Sequence, residues 1–190
     1  MASRPFSKGE VSVKTILETD RLLLREFVPD DAEDFFRMVS DPDVTRYTGD
    51  GAKTLEEARK GLEERIFHDY RKYGYGRWAV VFKPAGQVIG FAGLKYLDDV
   101  SEVDLGYRFF KEYWGRGLAT EASRALLAYG FDVLRLERVV GIVDVANKAS
   151  IRVLEKVGFT FEKFTTFRGH EVAWYVIEKG RSDSTGGRGF

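Results

Sequence analysis

Trp114-Gly115-Arg116-Gly117-Leu118-Ala119-Thr120-Glu121 decides the fold, because two glycines one residue apart lead straight into a segment with helical periodicity. The first turn of a helix leaves its amide N–H groups without partners and carries a partial positive charge, so it suits an anion such as a phosphate, and glycine lets the backbone come close. Behind the loop, Leu118, Ala122, Ala125, Leu126 and Tyr129 recur at spacings of three and four, which turns one stripe inward while the N-terminus faces a ligand. Ahead of it, Val103, Leu105, Tyr107 and Phe109 alternate with Glu102, Asp104, Gly106 and Arg108, the pattern of a strand feeding a turn. An ordinary strand-to-helix turn is the plainer reading of two close glycines. Dinucleotide and P-loop readings are weaker, since there is no third glycine at the Rossmann spacing and no Gly-Lys-Ser/Thr follows.

A downstream segment, Asn147-Lys148-Ala149-Ser150-Ile151-Arg152-Val153-Leu154-Glu155-Lys156-Val157-Gly158-Phe159, makes the pair specific. With it the chain resembles the GCN5-related N-acetyltransferase superfamily, and within it the RimJ/RimL-like branch that acetylates ribosomal-protein N-termini. The resemblance runs from Thr15 to Glu178. Leu17-Glu18-Thr19-Asp20-Arg21-Leu22-Leu23-Leu24-Arg25 is similar to that branch's opening strand, and Gly106-Tyr107 with the Trp-Gly-Arg-Gly-Leu-Ala-Thr-Glu-Ala run is similar to its acyl-CoA pyrophosphate loop. Asn147, Ser150, Gly158 and Phe159 fall where the family places the helix flanking the thioester.

Composition agrees with that assignment. The chain's 190 residues and 44% apolar content suffice for one domain with a core. Thirty basic residues balance thirty acidic ones, which removes any general argument for nucleic acid or an anionic membrane as partner. Without cysteine there are no disulfides, thiol nucleophiles or thiolate metal sites, and two histidines do not make a metal site. No signal-peptide core or long apolar run is present, so a soluble, cytoplasmic enzyme is expected.

Residues 1–14 read as a loose lead-in, 15–179 as one acetyltransferase domain, and 180–190 as a Gly/Ser-rich disordered tail. Arg21 to Val28 reads as a strand, and Asp30 with Glu33 as the cap of a first helix through Phe35, Phe36 and Val39. Ser40 to Lys53 reads as a loop, and Thr54-Leu55-Glu56-Glu57 as the capping box of a second helix ending near Tyr73. Trp78–Phe82, Val88–Tyr96 and Val100–Phe109 form an antiparallel meander joined by Pro84-Ala85-Gly86 and Asp98-Asp99. Then follow the cradle helix, a strand Arg138–Val145, a helix from Asn147 closed by Gly158, and a hairpin turning at Arg168-Gly169. The order β-α-α-β-β-β-α-β-α-β-β predicts an α/β (α+β) fold: a mixed, strongly twisted sheet with helices on both faces. The resemblance implies the acyl-CoA N-acyltransferase fold, in which two parallel strands, here those ending near Phe109 and Val145, splay apart and expose backbone groups to pantetheine.

The resemblance implies transfer of an acetyl group from acetyl-CoA, as cosubstrate and without a metal, to a primary amine. The acceptor is a protein N-terminus or a small-molecule amine, and a homodimer is compatible with the branch. A CoA-binding sensory or interaction module of the same fold without turnover is the alternative. The implied cofactor contacts are Phe109 through its backbone, Trp114, Gly115, Arg116, Gly117, Leu118, Ala119 and Thr120 in the loop, and Asn147 on the pantetheine arm. The amine must be neutral, the oxyanion needs a donor, and the thiolate leaves more readily when protonated. Most of the superfamily protonates the thiolate with a tyrosine at the position held here by Leu154, which has no proton to give. Ser150 lies three residues after Asn147 and four before Leu154, on the same side of the helix, and matches the serine assigned that task in the RimL-like branch. Ser150 bonding only its own helix, and Asn147 acting only as N-cap, remain open. Glu171, where the branch carries an acidic residue near the acceptor, and Asp104 are the candidate bases, ahead of Glu102. A solvated strand carboxylate is the alternative for each. The acceptor wall is expected from Arg46, Tyr47 and Asp50, with Trp78, Tyr96, Trp174 and His170 as further candidates. An acidic pocket would favour polyamines or aminoglycosides, and a groove a peptide N-terminus.

Overall fold

The computed structural model describes residues 13–48 and 51–180; the expected lead-in up to residue 12, the tail from residue 181, and Asp50 lie outside them. Eight strands form one sheet in the order β1-β2-β3-β4-β5-β6-β8-β7. They are β1 (Thr15–Glu18), β2 (Leu22–Arg25), β3 (Arg77–Phe82), β4 (Gln87–Leu97), β5 (Glu102–Phe109), β6 (Arg138–Asp144), β7 (Thr160–Phe167) and β8 (His170–Glu178). The helices are α1 (Ala32–Ser40), α2 (Pro42–Thr45), α3 (Leu55–Gly61), α4 (His68–Tyr73), α5 (Leu118–Asp132) and α6 (Lys148–Lys156). Strand pairs are antiparallel except β5 with β6.

The meander matches the spacing of its turns. The β7–β8 hairpin closes at Arg168 and Gly169, both with positive φ (49° and 85°), the geometry a two-residue turn needs to match strand twist. Alternation on β5 places Val103, Leu105 and Phe109 in the core under α5, with Leu118, Ala122 and Leu126 packed from the helix. On the opposite face, Phe35 and Val39 of α1 and Ala58 and Leu62 close a second core over Ala79 and Val88.

Four details differ from the sequence expectation. The opening strand is a hairpin: the chain reverses at Thr19 to Arg21, where the Glu121 carboxylate of α5 accepts from Thr19 Oγ1 (2.5 Å), Arg21 N (3.0 Å) and Arg21 Nε (2.7 Å). The first helix is entered through Asp31 rather than Asp30; Asp31 accepts from Val28 N at 2.9 Å and holds the Arg25 guanidinium at 2.6 and 2.8 Å. The loop after Ser40 carries the one-turn α2, whose N-cap Asp41 accepts from Asp43 N at 2.8 Å. The second helix starts on Thr54 as expected, with Thr54 Oγ1 accepting from Glu57 N and Glu57 accepting from Lys53 N. Between α3 and α4, however, it widens to a π-helix at Leu62–Phe67. Buried Ala58, Leu62 and Ile66 recur every four residues; that stripe would drift off the sheet on a 3.6-residue turn, and a wider turn keeps it facing inward.

Between β5 and β6 the ladder registers a single pair, Asp104 with Val140. Beyond it the strands diverge toward their C-terminal ends, which is the splay expected between the strands ending near Phe109 and Val145. Phe110 N donates to Ile89 O at 2.9 Å, so the strand's alternation turns the main-chain N–H and C=O of Phe109, Tyr107 and Leu105 away from β4 and toward this gap.

Candidate active site

The end of β5 runs into the glycine loop. Gly115 and Gly117 have φ of 71° and 76°, a conformation costly for any residue with a Cβ, and Gly117 is the N-cap of α5. A Cβ at Gly115 would meet nothing within 4 Å, and at Gly117 only Arg21 Nη2 at 3.8 Å. Conformation and open space in front of the loop, rather than packing, therefore account for both glycines. No side chain caps the helix, so the first-turn N–H groups of Leu118, Ala119 and Thr120 carry no side-chain acceptor. Glu121, the acidic residue of that turn, is bound to Arg21 (2.6 Å), and Arg21 Nη1 also donates to the Arg116 carbonyl at 3.0 Å. An anion at the helix end thus meets a neutralised carboxylate. The Arg116 guanidinium stacks over Phe82 and Tyr113 at 5.0 and 5.2 Å. Trp114 is 48% exposed, and its Nε1 donates to the Phe109 carbonyl at 2.8 Å. The backbone contact expected of Phe109 is therefore linked to Trp114, whose indole already uses that carbonyl.

A cavity of about 590 Å³ passes through the gap. On the α6 side it is lined by Tyr107, Gly141, Asn147, Ser150 and Leu154; on the other by Val39, Tyr47, Thr48, Arg77, Lys95, Asp104 and Arg108, with Arg168 and His170 from the hairpin turn. These residues fit an acyl-CoA: an uncapped helix end for phosphate, unpaired strand edges for the amides of pantetheine, and polar groups at the gap for the thioester.

Asn147 is the N-cap of α6, its Oδ1 accepting from Ser150 N at 3.1 Å. Among the described residues its side-chain NH₂ has no acceptor, which leaves it for a ligand. The Ser150 hydroxyl lies beside the Tyr107 phenol, with which its side chain is hydrogen-bonded. Leu154, where a tyrosine is commoner in the family, packs over Gly141, at which a Cβ would lie 2.7 Å from Leu154 Cδ2. Strand alternation places the Tyr107 ring in the packed face and gives its hydroxyl no role. The hydroxyl donates to the Ser150 carbonyl at 3.3 Å, and burial raises its pKa to about 12 against a hydrogen bond with the Ser150 side chain, which lowers it.

The structure brings Ser150 and Asp104 to one cavity and places Glu171 in a neighbouring one, of about 430 Å³, lined by Val145, Phe164, Thr165, Thr166, Glu171 and Val172. Val172 borders both. Asp104 is not a free carboxylate: Oδ2 pairs with Arg77, and Oδ1 accepts from Ile142 N at 3.2 Å. Glu102 is held by Arg138 at 3.1 Å. Trp78 and Trp174 are core residues, the first fully buried and edge-on to Tyr129, and Tyr96 packs on Tyr73. Tyr47 reaches the cavity, whereas Arg46 is tied to Asp43 at 2.6 Å.

A parallel pair splayed beside a glycine-primed helix is the arrangement of the acyl-CoA N-acyltransferase fold. Residues 21–160 match the acetyltransferase (GNAT) domain, and the chain belongs to that family. It is 35% identical over 149 residues to the uncharacterized N-acetyltransferase YoaA of Bacillus subtilis (strain 168), covering 77% of this chain and 84% of that one. Among solved structures, an acetyltransferase of the GNAT family from Bacillus anthracis is 25% identical with a TM-score of 0.74, covering 85% of this chain and 96% of its own. RimL, the ribosomal L7/L12 alpha-N-protein acetyltransferase, is 19% identical with a TM-score of 0.76, covering 91% and 98%. The chain is therefore an acetyltransferase.

Proposed function

We propose that the chain transfers the acetyl group of acetyl-CoA to a primary amine by direct attack in a ternary complex. The carrying observation is the cavity that runs through the β5–β6 gap, with Ser150 on the α6 side and the acceptor loops on the other. The amine attacks the thioester carbonyl, the tetrahedral adduct collapses with loss of the C–S bond, and the leaving thiolate takes a proton from Ser150 Oγ. The ammonium formed on nitrogen returns one proton through solvent, so the serine is restored and no net proton is consumed. Before attack, Glu171 in the adjoining cavity takes the separate proton of the incoming ammonium and passes it to solvent; an amine near its ordinary pKa needs removal of a proton and not strong activation. Asn147 holds the pantetheine arm through its free NH₂, and Gly115 to Thr120 hold the pyrophosphate.

For the acceptor, a protein N-terminus is favoured over a polyamine. RimL acts, by its name, on the N-terminus of a ribosomal protein. Among the described residues the carboxylates in and around the cavity are largely spoken for, Asp104 by Arg77, Asp69 by Lys95 and Asp99 by Arg168, which leaves little to recruit a polycation. A thiol-release assay with acetyl-CoA tests the reading across N-terminal peptides, polyamines, aminoglycosides and amino acids. Turnover concentrated on peptides is expected. Binding of CoA with no turnover on any class would instead establish the non-catalytic module.

A further inference from the structure

We propose that Asp104 is a positioning residue that holds β5 and β6 apart at the width admitting the pantetheine arm, and is not the base. This rests on the acetyl-CoA reading above. After the Asp104–Val140 register pair the two strands share no further pairing, yet Ile142 N, two residues along β6, is not left unsatisfied: it donates to Asp104 Oδ1 at 3.2 Å. A carboxylate has taken the place of a ladder carbonyl. Adjacent strands in a ladder lie about 4.8 Å apart, and a bond made through a side chain instead of a main-chain oxygen spans a wider separation while still meeting the buried N–H.

The strut is fixed from behind. Arg77 of β3 crosses under β4, giving Nη1 to the Gly93 carbonyl and, at 2.9 Å, to the Asp104 carbonyl, and Nη2 to Asp104 Oδ2. Gly106 exists without a side chain because a Cβ there would collide with the Arg77 guanidinium. Gly93 is bare for a related reason, since a Cβ would run into the backbone of Gly76 and Arg77. A chain of polar contacts therefore runs from β3 through β5 to β6, with the Arg77 and Asp104 side chains each only 12% exposed. Both carboxylate oxygens are committed to holding strands, and the main-chain groups of Tyr107 and Phe109 face the opening this creates.

Asp104→Glu and Asp104→Asn in the full chain separate a strut from a base. A base survives lengthening by one methylene and is destroyed by the amide; a strut depends on length and on both contacts. Three readouts are compared with wild type: acetyl-CoA affinity by calorimetry, the pH dependence of kcat with a peptide acceptor, and amide hydrogen exchange at Ile142 without cofactor. For Asp104→Glu the expected result is faster exchange at Ile142 and acetyl-CoA affinity lower by about tenfold, as for loss of a buried hydrogen-bond partner, with the acidic limb of the kcat profile in place. Asp104→Asn should also weaken acetyl-CoA binding and keep that limb. Loss of the limb in Asp104→Asn at unchanged acetyl-CoA affinity would overturn the proposal, as would Asp104→Glu with wild-type affinity and wild-type exchange at Ile142. If Asp104→Asn does not fold, Asp104→Glu decides alone. Failure of the wild-type chain to bind acetyl-CoA would refute the functional reading instead, while exchange at Ile142 still reports whether the carboxylate braces β6.

Discussion

Ser150 and Tyr107 meet at the first turn of α6 but from different elements, and their chemistry differs accordingly. The serine hydroxyl adjoins the phenol, while the phenol donates to the Ser150 carbonyl and is kept neutral by burial. Ser150→Ala should lower kcat by about a hundredfold, the scale of a lost general acid, with acetyl-CoA affinity unchanged. Tyr107→Phe removes one hydrogen bond to the helix that carries Ser150, and should reduce kcat by about two- to tenfold while lowering the melting temperature. Steady-state kinetics and thermal melts on the two variants and their double check this; equal losses from both singles would show that the phenol, not the hydroxyl, delivers the proton. The serine was legible because three- and four-residue spacings fix a helix face. The tyrosine was not, since strand alternation tells which side a ring takes but not what its hydroxyl reaches. Asp104 and Glu171 stood level as bases for a similar reason: the partner that occupies Asp104, Arg77, lies 27 residues away along the chain, and no local pattern links the two.

The element that most depends on its glycines is the turn into α5. With a Cβ at Gly117 approaching nothing nearer than 3.8 Å, the cost of substitution there comes from φ and not from crowding. Gly117→Ala should destabilise the fold by about 1–2 kcal/mol, the scale of a left-handed conformation in a residue with a Cβ. Gly117→Glu carries the same strain and adds a negative charge beside the helix N-terminus where phosphate is to sit, so acetyl-CoA binding should weaken well beyond the alanine variant. Calorimetric titration of both variants, with melts to remove the common stability loss, isolates the charge effect; equal affinities would contradict a pyrophosphate site at this turn. At this scale the sequence was informative wherever periodicity and turn chemistry agreed, as in the meander, the capping box at Thr54 and the Arg168-Gly169 hairpin. It failed at Thr19 to Arg21, where no glycine or proline marks the reversal. There the turn is held by Glu121, about a hundred residues away, a tertiary contact overriding weak local preference.

For the molecule as a whole, the balance of buried phenols and paired carboxylates sets how stability depends on pH. Burial raises the pKa of Tyr70, against a lowering hydrogen bond from Phe27 N, and its hydroxyl donates to the Arg77 carbonyl at 2.5 Å; burial also takes Tyr107 to about 12. In both, folding favours the neutral form, whereas an unfolded tyrosine ionises near about 10. The unfolded state therefore releases protons first as pH rises, and stability must fall above about 10 and continue falling until Tyr107 itself ionises near 12. On the acid side Glu121 behaves oppositely. Burial raises its pKa, but the hydrogen bonds from Thr19 and Arg21 outweigh it and the net shift is downward. Its contribution is complete above the unfolded carboxylate value of about 4.3 and is lost as pH falls through the lowered folded value. Urea unfolding from pH 3 to 11.5 should trace a plateau with a decline at each end. Tyr107→Phe should soften the alkaline decline, and Glu121→Gln should lower the plateau while flattening the acid decline. Stability unchanged between pH 9 and 11.5 in the wild type would mean that these phenols are solvated in the folded chain. The hydroxyl contact that positions the start of α6 would then have to be abandoned.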